Sequence, residues 1–532
     1  MVDVGTLDYI WLGILAVFQG PEAFSFLGVS ISITVMMVAF GLVLGIVVGA
    51  APGLGGVIAM AISLPILISV FGFTSDALLP VMGFLIGVMK GSTVGGAVPA
   101  ILFNTPGTPD AFMTTLDGYP MAQSGKARKA LKISHFSSVS GDTFSDIVLI
   151  VCAPFLAILV ESYLDLPEKT ALLILSLSFI AAVVGGSAAK GLLSCGLGLL
   201  AVYIGTGDDF YPRLSFGSSA LSDGIPITAA VIGVLVIGAI FSELENLWNQ
   251  TRRKGAIEVA KDTGDQRLHW ADIRRILPYI GRSALIGTTI GALPGVGSTL
   301  AATIGYATGK RFHAKNKKPE DPEFGQGAPE GIAATEAANS SVSGANLIPV
   351  LSLGIPGNTA AVFLILAAES IGGFNPGPAV FKFSTDLNPE LVIAFGLFTT
   401  MILANLLNWT IGGFLMRFLG ALVRIPKQYL LPVVLLLTLA SLYVQETSMS
   451  AIWFAFAFGI LGYFMMRFAI SPLPFVIGFV LGGRIEETAR QAFSATGGDP
   501  LFLLKSPLAA AFILCAVGVL FISLRKPKAD KK

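Results

Sequence analysis

Histidine and cysteine are scarce, three of each in 532 residues. Cys152, Cys195 and Cys515 all lie within apolar runs, without disulfide or metal-ligand spacing, and read as small core residues. His135, His269 and His313 are scattered, and His269 and His313 fall in basic loops where they are expected to be solvated. No metal-binding or nucleophile–base constellation can be assembled from such a set, so neither an enzyme nor a bound cofactor is expected. Charge is thin as well. Only 13% of residues are charged, against about 25% in a soluble globular chain. The formal charge is +1, and no nucleic-acid partner is expected. The Gly-x-x-x-x-Gly-Lys-[Ser/Thr] phosphate loop is missing, which argues against an ATP-driven pump. Met1–Asp8 carries Asp3 and Asp8 but no basic residue, so no cleavable signal peptide is expected there.

Apolar sequence is abundant instead, at 54% of residues. Long runs recur at Ile147–Leu159, Thr170–Val184, Ile225–Ile240, Leu430–Tyr443 and Leu508–Leu524. A crossing takes roughly 20 apolar residues, so the chain reads as an all-α polytopic protein of about ten to twelve crossings or half-crossings in a lipid bilayer. Alternating short segments typical of a membrane β-barrel are not seen. Lys and Arg cluster at Lys126–Lys132, Arg252–Arg275, Lys310–Lys318, Arg417–Lys427 and Arg525–Lys532, which the positive-inside rule assigns to the cytoplasm.

Two passages nearly repeat each other. Gly49-Ala-Ala-Pro52-Gly53-Leu-Gly55 returns 242 positions later as Gly291-Ala-Leu-Pro294-Gly295-Val-Gly297, each with a glycine one turn upstream, Gly45 and Gly287. Pro removes a backbone donor and Gly accepts unusual dihedrals, so both runs break a helix. Broken backbone at membrane depth survives only inside protein or along a cavity, and a corresponding pair of breaks points to a transporter's binding site. A second pair follows: Asn104-Thr-Pro106-Gly107-Thr108-Pro109 and Gly354-Ile-Pro356-Gly357-Asn358-Thr359, offset by 250. Just before them, Ser92-Thr-Val-Gly-Gly96-Ala aligns with Ser340-Ser-Val-Ser-Gly344-Ala at an offset of 248. These matches predict an internal duplication, a first transmembrane repeat over 1–280 and a second over 281–532, forming one integral membrane unit.

Loop charge predicts how the repeats are oriented. Gly125–Lys132 is basic, while the matching Gly372–Pro389 has no basic cluster; between the breaks Phe71–Asp76 is non-basic and Gly309–Pro329 is rich in lysine. Opposite charge at equivalent loops implies two inverted repeats. Ser283–Thr308, flanked by basic loops, is too short for two spans at about 1.5 Å per residue and reads as a re-entrant hairpin.

Each helix restart offers unpaired N–H groups and a positive dipole end, which bind anions, and each stop offers carbonyls that suit Na⁺. Candidate substrate contacts are therefore Gly53, Gly55, Asn104, Thr105, Gly107, Thr108, Gly295, Gly297, Ser298, Thr299, Gly357, Asn358 and Thr359 at the breaks. Ser92 and Thr93 precede the second break, and Lys90 is placed to neutralise a carboxylate. Ser340, Ser341, Asn346 and Asp110 are candidate coupling-ion ligands, and Glu369, before Gly372-Gly373, is a weaker candidate for ligand contact. Lys90 is matched to the neighbourhood of Ala338 and Glu336, which suggests one repeat specialised for anion and the other for cation. Asp142 and Asp146, one turn apart, read as acids favoured by the N-terminal dipole of a spanning helix.

The paired Pro-Gly-x-Gly motifs, with Asn104–Asp110 and Gly354–Asn358, resemble the large membrane subunit of tripartite tricarboxylate transporters, the TctA family. Tyr211-Pro-Arg-Leu-Ser-Phe-Gly217, Glu486-Glu-Thr-Ala-Arg490 and Gly497-Gly-Asp499 add to the resemblance, which covers nearly the whole chain. It implies a permease in a bacterial inner membrane, working with a small four-helix membrane subunit and a periplasmic solute-binding protein. Its cargo would be a carboxylate, driven by a Na⁺ or H⁺ gradient. An anion-selective channel built on paired half-helices is the alternative.

Overall fold

Gly41, Gly45 and Gly49 recur every four residues, as do Gly87, Gly91 and Gly95, so each set forms a smooth stripe down one helix face. The computed structural model describes residues 6–26, 28–51, 55–184, 187–205, 207–208, 211–222, 224–250, 264–316, 319, 321–382, 387–416, 418 and 427–525. In chain order its first half holds α1 (Thr6–Phe18), α2 (Ile33–Ala50), α3 (Gly55–Phe71), α4 (Ser75–Phe103), α5 (Thr115–Met121), α6 (Ala127–Tyr163), α7 (Leu166–Val183), α8 (Ala188–Val202), α9 (Ile227–Ile232) and α10 (Gly238–Gln250). The second half holds α11 (Trp270–Gly291), α12 (Ser298–Asn316), α13 (Pro329–Ala345), α14 (Leu347–Leu353), α15 (Thr359–Ile371), α16 (Pro389–Leu407), α17 (Lys427–Glu446), α18 (Met449–Arg467), α19 (Leu473–Ala495) and α20 (Pro507–Arg525). Two short β-hairpins, Glu22–Phe26 with Val29–Ser32 and Gly207–Asp208 with Tyr211–Pro212, are the only sheets among the described residues. Eight helices are long and apolar enough to cross a bilayer, with five shorter apolar helices beside them among the described residues. The chain is an all-α, multi-pass membrane protein.

The two glycine stripes meet. A Cβ on Gly41, Gly45 or Gly49 would lie under 3 Å from the backbone of Phe84, Val88 or Ser92. The reverse holds for Gly87, Gly91 and Gly95 against Val38, Leu42 and Ile46. Numbering rises together on both helices, so α2 and α4 run parallel, in the small-residue contact that membrane helices use to approach closely. Gly91→Val should therefore force α2 and α4 apart and cost about 1–3 kcal/mol. A lowered melting temperature in detergent is the expected readout, and an unchanged melt would refute such close contact.

The second half repeats this packing. A Cβ on Gly287 or Gly291 would meet the backbone of Ala338 or Val342. Gly45 and Gly287 differ by 242 and their partners Val88 and Ala338 by 250, so α11 lies on α13 as α2 lies on α4. Gly305 faces Ala338 and Gly309 faces Ala334, so α12 runs against α13 and hence against α11. The α11–α12 pair is thus a helical hairpin, and its two helices extend beyond the Ser283–Thr308 stretch at both ends. Turn chemistry matches too. Asn104 ends α4 in the left-handed region (φ 51) and Gly354 ends α14 there (φ 71). Behind each, Thr105 and Ile355 donate their N–H to Pro99 and Pro349 (3.2 and 3.1 Å), again 250 apart.

This packing changes the alignment of α4 with α13 by two residues. Lys90 corresponds to Ser340, not to the Ala338 neighbourhood that the Ser92–Ser340 match suggests. The α6 helix of the first half packs along α13 of the second, where a Cβ on Gly141 would lie 2.5 Å from the Ala337 carbonyl. The two halves share one interior.

Candidate functional site: a cavity where four chain breaks converge

A cavity of about 420 Å³ opens where the breaks come together. Its walls are equivalent residues from both halves: Gly55 with Gly297, Gly56 with Ser298, Met89 with Asn339, Thr93 with Ser343, and Thr108 with Asn358. The first two pairs are 242 apart and the last three 250 apart. Matching positions of the two halves thus line the same space.

Three helices begin at this cavity: α3 at Gly55, α12 at Ser298 and α15 at Thr359. Asn358 caps α15, its Oδ1 accepting the Ala361 N–H at 2.8 Å. Ser92 Oγ and Thr93 Oγ1 donate to the Met89 carbonyl at 3.0 and 3.1 Å, which leaves their lone pairs for other donors. Asn339 is 1% exposed, lines the cavity, and neither amide atom has a hydrogen-bond partner. Buried amides are ordinarily satisfied, so an orphaned one at a cavity wall is suited to a ligand. No lysine, arginine or histidine lines the space; Asp110 is its single charged side chain among the described residues. Thr299 Oγ1 donates to Asp110 Oδ1 at 2.7 Å and so joins the two halves at the rim. The positive potential comes from helix N-termini, the negative from one carboxylate.

The family model for the tripartite tricarboxylate transporter TctA family matches residues 35–477, which contain every element of this cavity. The chain belongs to the TctA family. A relative from Agrobacterium vitis, described as an uncharacterized 52.8 kDa protein in the TAR-I ttuC' 3'region, is 32% identical over 499 residues, covering 92% of this chain and 94% of the relative. A second A. vitis protein, described as an uncharacterized protein in the TAR-II ttuC' 3'region, is 30% identical over 246 residues, 46% of this chain and 97% of that relative. No solved structure matches.

Of the residues that the sequence nominates in this TctA-family chain, Gly55, Ser92, Thr93, Gly107, Thr108, Asp110, Gly297, Ser298, Asn358 and Thr359 line the cavity. Gly53 lies outside the described residues. Others support the breaks from behind. Asn104 is the left-handed cap of α4, and Thr105 Oγ1 turns back to the Phe103 carbonyl at 3.2 Å. Gly295 (φ 79) donates its N–H to the Gly357 carbonyl at 2.9 Å, tying together the second half's two breaks. Ser341 Oγ bonds the Ala338 carbonyl at 3.2 Å, and Thr299 is engaged with Asp110. Ser340 and Asn346 are buried without a side-chain hydrogen-bond partner, and neither lines the cavity.

Lys90 points elsewhere. Its Nζ is 2.9 Å from Asp142 Oδ1 and 2.7 Å from Asp146 Oδ2, and Asn405 Nδ2 donates to the same Asp146 oxygen at 2.7 Å. The Lys90 and Asp146 side chains are fully buried. This knot ties α4 to α6 and α16 while the neighbouring Met89 and Thr93 face the cavity. Asp142 and Asp146 lie in the middle of α6, so the helix-dipole reading of this pair is corrected: a buried ammonium holds them. His313 is corrected too. It is 3% exposed on α12, with Nε2 3.1 Å from the Pro322 carbonyl. His269 stays exposed beside Asp265. Glu369 pairs with Arg484 at 2.8 Å on a separate, wider cavity of about 890 Å³. The residues that sequence reading passes over are Asn339, Ser343 and Gly56. An offset of 250 applied to Thr93 leads to Ser343, and from there one turn back to Asn339.

Proposed function

We propose that the chain is the large permease subunit of a binding-protein-dependent secondary carrier that imports carboxylated organic anions across a bacterial inner membrane. One observation carries this reading: three helix N-termini and an orphaned Asn339 amide face a cavity with no cationic side chain among its described lining residues. Such a wall suits an anion through fixed N–H dipoles. It suits a multiply charged carboxylate that must later be released, since no lysine or arginine holds it permanently. Gly55, Ser92, Thr93, Gly107, Thr108, Gly297, Ser298, Asn358 and Thr359 supply the surface, and Asn339 and Ser343 extend it. We read the two halves as inverted copies whose relative movement exposes the cavity to each side in turn. A small four-helix membrane subunit and a periplasmic solute-binding protein complete the system, with a Na⁺ or H⁺ gradient driving uptake.

The test is uptake of labelled citrate and smaller dicarboxylates into proteoliposomes holding this chain and its small subunit. Runs with and without a binding protein, under imposed Na⁺ or proton gradients, separate the terms. Accumulation that needs both the gradient and the binding protein is expected. Equilibration without any gradient would overturn the carrier reading in favour of a channel.

A further inference from the structure

Glu336 is a carboxylate buried in α13 without a counter-charge. It is 0% exposed, and among the described residues it forms no ion pair. Its neighbours are hydroxyls. Thr114 Oγ1 donates to Oε1, and Ser138 Oγ donates to Oε2 at 2.6 Å. Ser134, one turn before Ser138 on α6, lies beside the same carboxylate, and its Oγ has no geometrically satisfied hydrogen bond. Thr114, Ser134 and Ser138 are each 0% exposed.

The surrounding charges are committed elsewhere. Lys90 is held by Asp142 and Asp146. His135 Nε2 is 3.0 Å from the Asn408 carbonyl. Asp117 Oδ1 accepts the N–H groups of Gly325, Gly327 and Ala328, and Tyr306 lies beside that carboxylate. Arg275 pairs with Glu330 and Asp321, His313 lies between Tyr279 and Glu330, and Arg282 covers the Phe312 ring. None of these neutralises Glu336.

A buried carboxylate held only by hydroxyls is costly as an anion, so it takes up a proton or gains a positive charge beside it. The donor set specifies which kind. One carboxylate and three short hydroxyls form an all-oxygen shell with a single negative charge, which suits a small hard monovalent cation; a divalent ion would call for further carboxylates. The Thr114 and Ser138 hydroxyl protons now point at Glu336; an ion binding the carboxylate would displace these hydroxyls, which would then turn their lone pairs toward it. We propose that Glu336, Thr114, Ser134 and Ser138 form a sodium-ion site beneath the anion cavity.

Its position links it to that cavity. Asn339 and Ser343 follow Glu336 on α13 and line the cavity, about 4.5 Å and 10 Å further along the helix axis. Thr114 follows the short helical turn Pro109–Phe112 that brings Asp110 to the rim. The site also joins the halves, Glu336 coming from the second, and Thr114, Ser134 and Ser138 from the first. Its role as the coupling ion rests on the carrier reading above, but its existence does not, so the test reads ion binding without transport.

Binding of ²²Na⁺ to the purified full-length chain in nanodiscs, and its melting temperature in NaCl against choline chloride at equal ionic strength, provide that test. Wild type should bind Na⁺ saturably and melt higher in Na⁺. Glu336→Gln should abolish both effects, while Thr114→Val and Ser138→Ala should raise the apparent Kd about tenfold or more. The last two keep the carboxylate and decide the matter should Glu336→Gln not fold. Absence of Na⁺ binding in wild type would overturn the proposal, as would wild-type affinity in Thr114→Val and Ser138→Ala. A Glu336-dependent shift of melting with pH, with no response to Na⁺, would assign the charge to a proton and overturn it equally.

Discussion

Lys90→Ala is expected to deplete folded protein from the membrane fraction rather than simply to weaken anion uptake. The substitution strands Asp142 and Asp146, with side chains 5% and 0% exposed, at a point where α4, α6 and α16 meet. Removing one partner of a buried ion cluster costs about 3–5 kcal/mol, a large share of the roughly 5–15 kcal/mol that holds a typical domain together. Companion substitutions separate charge from packing. Lys90→Met combined with Asp142→Asn and Asp146→Asn removes every charge at similar volume, and should restore most of the folded yield. Size-exclusion profiles and melting curves of the single and triple variants are the measurement. A Lys90→Ala protein that folds normally and loses only anion affinity would return Lys90 to the cavity.

Asn339→Leu is the second large effect, and it should have the opposite character. The amide makes no hydrogen bond in the protein, so replacing it leaves no partner stranded and stability should hold or rise. What is lost is a hydrogen bond to a charged ligand, about 1.5–3 kcal/mol, which converts to roughly a ten- to hundredfold rise in apparent KM. Ser343→Ala, one turn further along the same wall, should move KM in the same direction by less. Uptake kinetics in proteoliposomes give the answer; an unchanged KM for Asn339→Leu would remove α13 from the anion's surroundings.

The contrast between these residues shows what a sequence of this kind discloses. The breaks are legible because Pro and Gly act through the local backbone: Gly295, Asn104 and Gly354 adopt the left-handed conformations that their motifs suggest. The glycine stripes are legible for the same reason, as spacing four apart is itself a helix face. Asn339 is not, because identical serines favour aligning Ser92 with Ser340, whereas the packing of Gly45 on Val88 and Gly287 on Ala338 sets the register two residues away. Side-chain identity in a short motif is weaker than backbone contact in fixing which residues are equivalent. The Lys90 knot was hidden more deeply. Its partners lie 52 and 56 positions along the chain on another helix, and only tertiary packing turns Lys90 from the cavity toward them. Glu336 was visible as a charge in an apolar setting, but its ring of hydroxyls is drawn from Thr114 and α6, far away in sequence.

An anion held in the cavity between the paired breaks must shield the residues that line it, and cysteine protection measures that shielding. With Cys152, Cys195 and Cys515 replaced by Ser, single cysteines at Thr93 and Ser298 would both line the cavity, one from each half. Their modification by a small thiol reagent is expected to slow as a transported carboxylate is added, with a common half-maximal concentration, while a control cysteine at the exposed Ala314, at the lysine-rich end of α12 remote from the cavity, is unaffected. Labelling at Thr93 and Ser298 that ignores the carboxylate, in a preparation that still transports it, would contradict the account.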